Sequence, residues 1–366
     1  MSEIKTCEYV SDTELVRELA LLFGPTGCEG EVADRIEKYI SGICDSFCRD
    51  RMGNVISLVR CGDVNAKARR CVMISAHMDE VGFMVTDICD DGLLRFDTVG
   101  GIHESVIEGR KVSMGDEINR VKGIVASKAI HHKKAADRNK ITPINKLYID
   151  IGASSKEEAE KYLSIGSFGT FDSEFYLFGK DDRLMKSKAL DDRMGCAAMI
   201  EVMRRLYANR PTAPIDMYFC FTVREEIGLS GAKVAAQKIA PDIAIVLEST
   251  AVADLPSTDP DKRVADLGHG GALSIMDRST IYDRSFLEFA LNTARNREIP
   301  VQVKRYVSGG NDAGSIHKTG VGVRALALSV PTRYLHSPSC VASVDDYRSV
   351  RELVEAMLRN IAIETP

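Results

Sequence analysis

The chain has 366 residues, a net charge of −5 and 45% hydrophobic side chains. That is room for two domains and a large core, with no basic surface for nucleic acid. No apolar run approaches the ~20 residues that cross a bilayer; Trp is absent, which disfavours a sugar-binding face of stacked indoles.

The N-terminal Met-Ser-Glu-Ile-Lys-Thr lacks the basic and apolar stretches of a signal peptide. Ten cysteines are scattered with no Cys-x-x-Cys pair. Both features lead us to expect a reduced, cytoplasmic protein.

Ser11-Asp-Thr-Glu14 is a capping box before Leu15, Val16, Leu19, Leu22 and Phe23, predicting a helix that Gly24-Pro25 ends. Val32, Ile36, Tyr39 and Ile40 form one face of a second helix. Strands are expected over 54–59 and 72–76, the latter running into His77-Met-Asp79-Glu80. From about Val85 to Glu174 short β-like pieces alternate with glycine turns, with one short helix at 155–162. This reads as a small β-rich domain, PDZ-like or barrel-like, inserted at 85–174 into a catalytic domain of residues 1–84 and 175–366. The His131-His-Lys-Lys134 run within it reads as a solvated loop.

After Gly179 helices are expected at 194–206, 233–239, 285–296 (capped near Asp283) and 344–363. Strands are expected at 215–222, 243–247, 301–307 and 325–330. The alternation predicts an α/β fold with a mixed, mostly parallel sheet flanked by helices.

Five sites fall just after strand-like runs or at loop–helix junctions: His77-Met-Asp79, Asp191-Asp192, Glu225-Glu226, Glu248 and His336. Functional groups gather beyond the carboxyl ends of strands in such sheets. Singly, His77 reads as a core histidine, Asp191 as an N-cap, Glu248 as a turn cap and His336 as a loop residue. Together they form a zinc-type ligand set. Two histidines and three carboxylates suit two metals with one bridging carboxylate. Two divalent ions, Asp191, Glu226, Glu248 and a bridging hydroxide sum to zero charge, which a partly buried cleft tolerates. Asp79 is placed to accept the other imidazole N–H of His77, and the remaining Glu225 is the candidate general base.

Four motifs in order, Ser75-Ala-His-Met-Asp-Glu-Val-Gly-Phe83, Ala189-Leu-Asp-Asp-Arg-Met-Gly195, Glu225-Glu-Ile-Gly-Leu-Ser-Gly-Ala232 and Gly309-Gly-Asn-Asp-Ala-Gly314, closely resemble the co-catalytic metallo-aminopeptidases of the MH clan. These include glutamyl, deblocking and tetrahedral aminopeptidases. The resemblance implies that His77, Asp191, Glu226, Glu248 and His336 bind two divalent ions (Zn²⁺ or Co²⁺, with Mn²⁺ a third candidate) and that Asp191 bridges them. It further implies that Glu225 is the catalytic base, that Asp79 orients His77 and that the Asp191–Asp192 peptide is cis. The insert would be a dimerisation domain, and the particle a homo-oligomer between a dimer and a tetrahedral dodecamer. Short peptides would be the substrates, with no nucleic-acid or membrane partner.

Glu248 stands where that family often has aspartate, and Asn311 where it often has threonine. A carboxypeptidase or amide deacylase on the same scaffold is therefore an alternative. A glycoside hydrolase is a weaker one: relatives have been labelled endoglucanases, and paired acids do that chemistry. Adjacent glutamates on an extended segment, however, point to opposite faces. Arg263, Arg305 and Arg333 are candidates for selecting an acidic side chain, with a solvated surface role as the simpler reading.

Overall fold

The computed structural model describes residues 11–307 and 309–363; Cys7 lies outside them. Along Arg70–His77 the side chains alternate: Val72, Ile74 and Ala76 enter one apolar core and Met73 the other. Ile243–Ala251 repeats the pattern, with Ile243, Ile245 and Leu247 on one side and Ala244 and Val246 on the other. A sheet buried on both faces needs helices on both.

The sheet has eleven strands. Its centre is parallel: Ile215–Thr222, Arg70–His77, Ile243–Ala251 and Arg324–Arg333 lie side by side in that order. Val55–Cys61 and Ser46–Arg49 continue one edge antiparallel. Cys340–Ser343, Leu184–Ser187 and Tyr176–Phe178 continue the other. Helices Asp12–Leu21, Gly30–Ile40, Leu190–Ala208, Arg284–Asn296 and Val344–Ile361 cover one face, and Ser230–Ile239 with Ala313–Ile316 the other. The fold is thus the mixed α/β sheet flanked by helices that the sequence predicts.

Six strands close an antiparallel barrel: Gly82–Ile88, Leu94–Val99, Lys111–Gly115, Arg120–Ala126, Tyr148–Asp150 and Phe168–Phe171. Phe83 packs edge-to-face on Phe96 and Phe171 at its centre, with ring centroids 5.4 and 5.0 Å apart. His131, His132 and Lys134 are exposed in the connection before Tyr148, and Lys133 pairs with Glu108 at 3.3 Å.

Local differences have local causes. The strand expected to stop at Leu247 continues to Ala251, because Glu248, Ser249 and Thr250 stay in register with Ser329, Val330 and Pro331. The strand expected at 301–307 ends at Val303; Lys304 N–H turns to the Leu273 carbonyl and Arg305 N–H to Val264. The short helix in the insert is a single turn, Lys156–Ala159. Among the described residues no helix is long and apolar enough to cross a membrane.

Candidate metal centre and active site

The parallel strands deliver their polar residues to one end of the sheet. His77 is the last residue of its strand and pairs in register with Thr222, three residues before Glu225. Glu248 follows Ala244 and Val246 at the same parity on the neighbouring strand. Asp191 and Asp192 sit at the distorted start of Leu190–Ala208, joined by a cis peptide as the resemblance implies. His336 follows Arg324–Arg333 on a loop where Tyr334 and His336 both take left-handed backbone, φ 58° and 57°, a region such residues rarely adopt.

The five candidate ligands converge around Asp191. Its Oδ1 lies 3.4 Å from His77 Nε2 and its Oδ2 lies 3.4 Å from His336 Nε2. Glu248 Oε1 is 3.3 Å from His77 Nε2, and Glu226 Oε1 is 3.3 Å from His336 Nε2. One carboxylate therefore faces two histidine–glutamate pairs, one on each side.

Both histidines turn the same nitrogen inward. His77 Nδ1 lies 3.1 Å from the Asp79 carbonyl, and His336 Nδ1 lies 2.7 Å from the Gly101 carbonyl. A carbonyl only accepts, so each Nδ1 carries a proton and each Nε2 is the nitrogen with a lone pair available to a metal.

Charge sets the character of the cluster. Asp191, Asp192, Glu225, Glu226 and Glu248 share it with two histidines, and Lys304 lies near enough for its charge to act on Glu248 and Asp191. Asp191 Oδ1, Asp192 Oδ2 and Glu248 Oε2 are buried without a hydrogen-bond partner; the 3.4 Å approach of Asp191 Oδ1 to His77 lacks hydrogen-bond alignment. Burial pushes Glu248 up to about 8, despite His77 beside it. Burial, then the neighbouring Glu248, holds Glu225 well above the usual carboxylate range, and the same two causes raise Asp192. Burial opposes the charge on His336, yet Asp191 and Glu226 hold it up to about 12. Protons crowd onto these groups because buried carboxylates need a positive partner. Three orphaned carboxylate oxygens beside two bare imidazole nitrogens fit divalent cations. Among the described residues three compact N/O donor groups exist, His77–Asp192–Glu248, His77–Glu225–Glu226 and Asp191–Glu226–His336.

The loop carrying Glu225 and Glu226 is clamped at both ends. Asn54 Oδ1 accepts from Val223 N–H and its Nδ2 donates to the Gly231 carbonyl, both at 3.0 Å. A Cβ on Gly231 would meet the Val223 carbonyl oxygen at 2.2 Å, so only glycine allows the loop to close. Asp79 accepts from the N–H groups of Glu225 and Glu226 at 3.1 Å each and from the Thr26 hydroxyl at 2.8 Å. Its carboxylate is 3.5 Å from His77 Nδ1, farther than its own carbonyl. Asp79 thus anchors the glutamate loop as directly as it orients the imidazole.

Two expectations change. Glu225 and Glu226 are not on an extended segment pointing apart: Leu229 N–H closes a turn on the Glu225 carbonyl, and both carboxylates converge with His77 within 4.8 Å. The three arginines are committed to acids: Arg333 bonds Asp254 through two nitrogens at 2.8 and 2.7 Å, while Arg305 and Arg263 lie 2.6 and 3.8 Å from Asp266.

In the sequence Asp192 stands out only beside Asp191 and Asp312 only within the fourth motif, neither with a role, and Asn54 only as the start of a strand. Asp312 accepts from the Thr222 hydroxyl at 2.7 Å, and burial pushes it up to about 6. The roles of Asp312 and Asn54 depend on partners far away in sequence, Thr222 for the one and Val223 and Gly231 for the other. Asn311 Oδ1 accepts from Ala313 N–H at 2.9 Å, and its Nδ2 donates to Tyr282 Oη at 3.0 Å.

Known proteins are similar to this chain along nearly its whole length. A putative aminopeptidase of Acetivibrio thermocellus is 36% identical over 94% of this chain and 98% of its own. The lysyl aminopeptidase of Pyrococcus furiosus is 32% identical over 96% and 97%. The TET aminopeptidase from a marine-sediment Thaumarchaeota archaeon superposes with a TM-score of 0.91 at 34% identity, covering 97% of each chain. The TET1 peptidase of Pyrococcus horikoshii, which can assemble into a tetrahedron or a large octahedral shell, gives 0.83 at 30% identity over 95% and 99%. Residues 53–353 match the M42 glutamyl aminopeptidase family. With both the strand-end cluster and the inserted barrel inside that match, the chain belongs to this family of aminopeptidases, hydrolases that act on peptide bonds.

Proposed function

We propose that the chain is a dinuclear-metal aminopeptidase that removes the N-terminal residue of short peptides. The observation that carries this is Asp191, whose two oxygens each lie 3.4 Å from the Nε2 of a different histidine. His77 and Glu248 would hold one ion, Glu226 and His336 the other, and Asp191 both. Zn²⁺ or Co²⁺ suits this imidazole and carboxylate set, with Mn²⁺ a third candidate. When bound, the ions would acidify a shared water and polarise the scissile carbonyl.

Glu225 then does the proton work. Its carboxylate takes a proton from the attacking water and passes it to the nitrogen of the leaving amine. Burial favours the protonated acid that must persist between those transfers. Asp79 holds the Glu225 backbone while this happens.

The barrel, with Ile118, Ile124, Tyr162 and Ile165 exposed, is proposed as the dimerisation domain of a homo-oligomer between dimer and dodecamer, as the TET1 assembly suggests. The nine described cysteines are free thiols, which suits a cytoplasmic site of action.

The test is a hydrolysis screen of chelator-stripped protein against free-amine peptides, their N-acetylated forms and carboxymethylcellulose, with and without Zn²⁺ or Co²⁺. Metal-restored cleavage of free-amine peptides alone is expected. Cleavage of blocked peptides or cellulose would overturn the substrate assignment.

A further inference from the structure

Two contacts run from the inserted barrel into the candidate metal centre. The first is the loop after Leu94–Val99. Its Gly101 carbonyl accepts from His336 Nδ1 at 2.7 Å, and at Gly100 (φ 85°) a Cβ would lie 2.8 Å from Val81 and 3.3 Å from the Glu226 Cβ. This loop lies against both candidate ligands of one ion.

The second starts at Thr170 on the last barrel strand. Its hydroxyl donates to Glu80 Oε2 at 2.7 Å. Glu80 Oε1 pairs with Lys188 Nζ at 2.5 Å and lies 3.5 Å from Arg193 Nη2. Lys188 and Arg193 flank the Asp191–Asp192 pair. Arg193 Nε donates to the Met78 carbonyl, the residue after His77, and Nη1 to the Leu19 carbonyl, both at 2.6 Å. Lys188 donates to the Leu22 carbonyl at 2.7 Å. Thr170, Glu80, Lys188 and Arg193 are all buried, so their geometry is fixed by these bonds rather than by solvent.

We infer that the barrel is a working part of the metal centre: Gly101 and Thr170 are positioning groups that set His336 directly and, through Glu80, Lys188 and Arg193, the segments bearing His77 and Asp191. This rests on the proposed metal site and deepens it. A carbonyl that fixes an imidazole tautomer, and a hydroxyl that fixes the carboxylate behind a ligand segment, tune affinity without touching the ion.

The test uses the full chain and three variants. Thr170→Val removes the hydroxyl at similar volume, Thr170→Ser restores it, and Gly101→Val places a Cβ 3.5 Å from His336 Nδ1 with two methyl groups on it. Zn²⁺ and Mn²⁺ binding is measured by calorimetric chelator competition, alongside melting of the metal-free chain and particle size. Thr170→Val and Gly101→Val are expected to weaken binding about tenfold to a hundredfold at unchanged particle size, with Thr170→Ser near the parent; Thr170→Val also lowers the metal-free melting temperature, because buried Glu80 Oε2 loses its donor. Folded variants that bind both ions with parental affinity, or a loss seen only where the particle dissociates, would overturn the inference. A parent chain that binds neither ion would instead overturn the metal reading, and this inference with it.

Discussion

Two buried polar clusters lie a few residues apart in this molecule, and they solve the problem of buried charge in opposite ways. Around Glu80 one carboxylate meets two cations, Lys188 and Arg193, and the threonine hydroxyl of Thr170. Around Asp191 five carboxylates meet two histidines, and three oxygens have no partner. The first cluster is complete as protein. The second is held in place by its neighbours and calls for cations from outside. Breaking each one should therefore fail differently.

The largest effect is expected at Glu225. Glu225→Gln keeps the size and the turn but removes the proposed base, so turnover should fall about a hundredfold to ten-thousandfold while metal content by elemental analysis stays at the parental level. Turnover near the parent would exclude Glu225 as the base. Next comes Arg193→Met in the complete cluster. It strips one of two cations from buried Glu80 and the donors from the Met78 and Leu19 carbonyls, at a cost of about 3–5 kcal/mol, read by denaturant unfolding with and without metal. A loss confined to the metal-loaded protein would show that Arg193 serves only the site.

A smaller, graded effect should follow pH. Glu248 is pushed up to about 8 and His336 up to about 12 in the metal-free chain. Folded groups that hold protons above their unfolded pKa lose stabilisation as pH rises. For Glu248 that loss runs from about 4.3, its ordinary value, to about 8. For His336 it runs from about 6.5 upward. Asp191, held low by its histidines against its burial, acts only under acid conditions. Chelated protein should therefore melt at lower temperature as pH rises from about 5 to about 9. Metal-loaded protein should escape this, because the ions replace the protons and release them on binding. Parallel melting curves for the two forms would contradict the shared-site picture.

The same contrast explains what was readable in advance. Short apolar runs placed the central strands, and the strand ends and loop–helix junctions placed His77, Glu225, Glu226 and Asp191 at one end of the sheet. Glu248 was placed there too, although its strand runs four residues past the apolar signal because backbone pairing with Ser329 to Thr332 outweighs composition. The turn at Glu225 was missed, since what bends it, Asn54 and Asp79, lies far away in sequence. The Glu80–Lys188–Arg193 cluster was missed for the same reason: its charges look like ordinary surface residues until the fold buries them together.

The smallest effect is expected where charge is exposed and paired. Arg305 is 52% exposed and lies 2.6 Å from Asp266, and Arg333 is held at both ends of its guanidinium by Asp254. Exposed pairs contribute about 0–1 kcal/mol, and an arginine already bonded to a protein carboxylate has little left for a substrate carboxylate. Arg305→Ala and Arg333→Ala should thus leave the ratio of kcat/KM for glutamyl and leucyl peptides near the parental value. A tenfold drop for glutamyl peptides alone would correspond to about 1.4 kcal/mol of selective contact. It would mean that the arginine leaves its aspartate when substrate binds, so that the ion pair is a resting position rather than a finished structural bond.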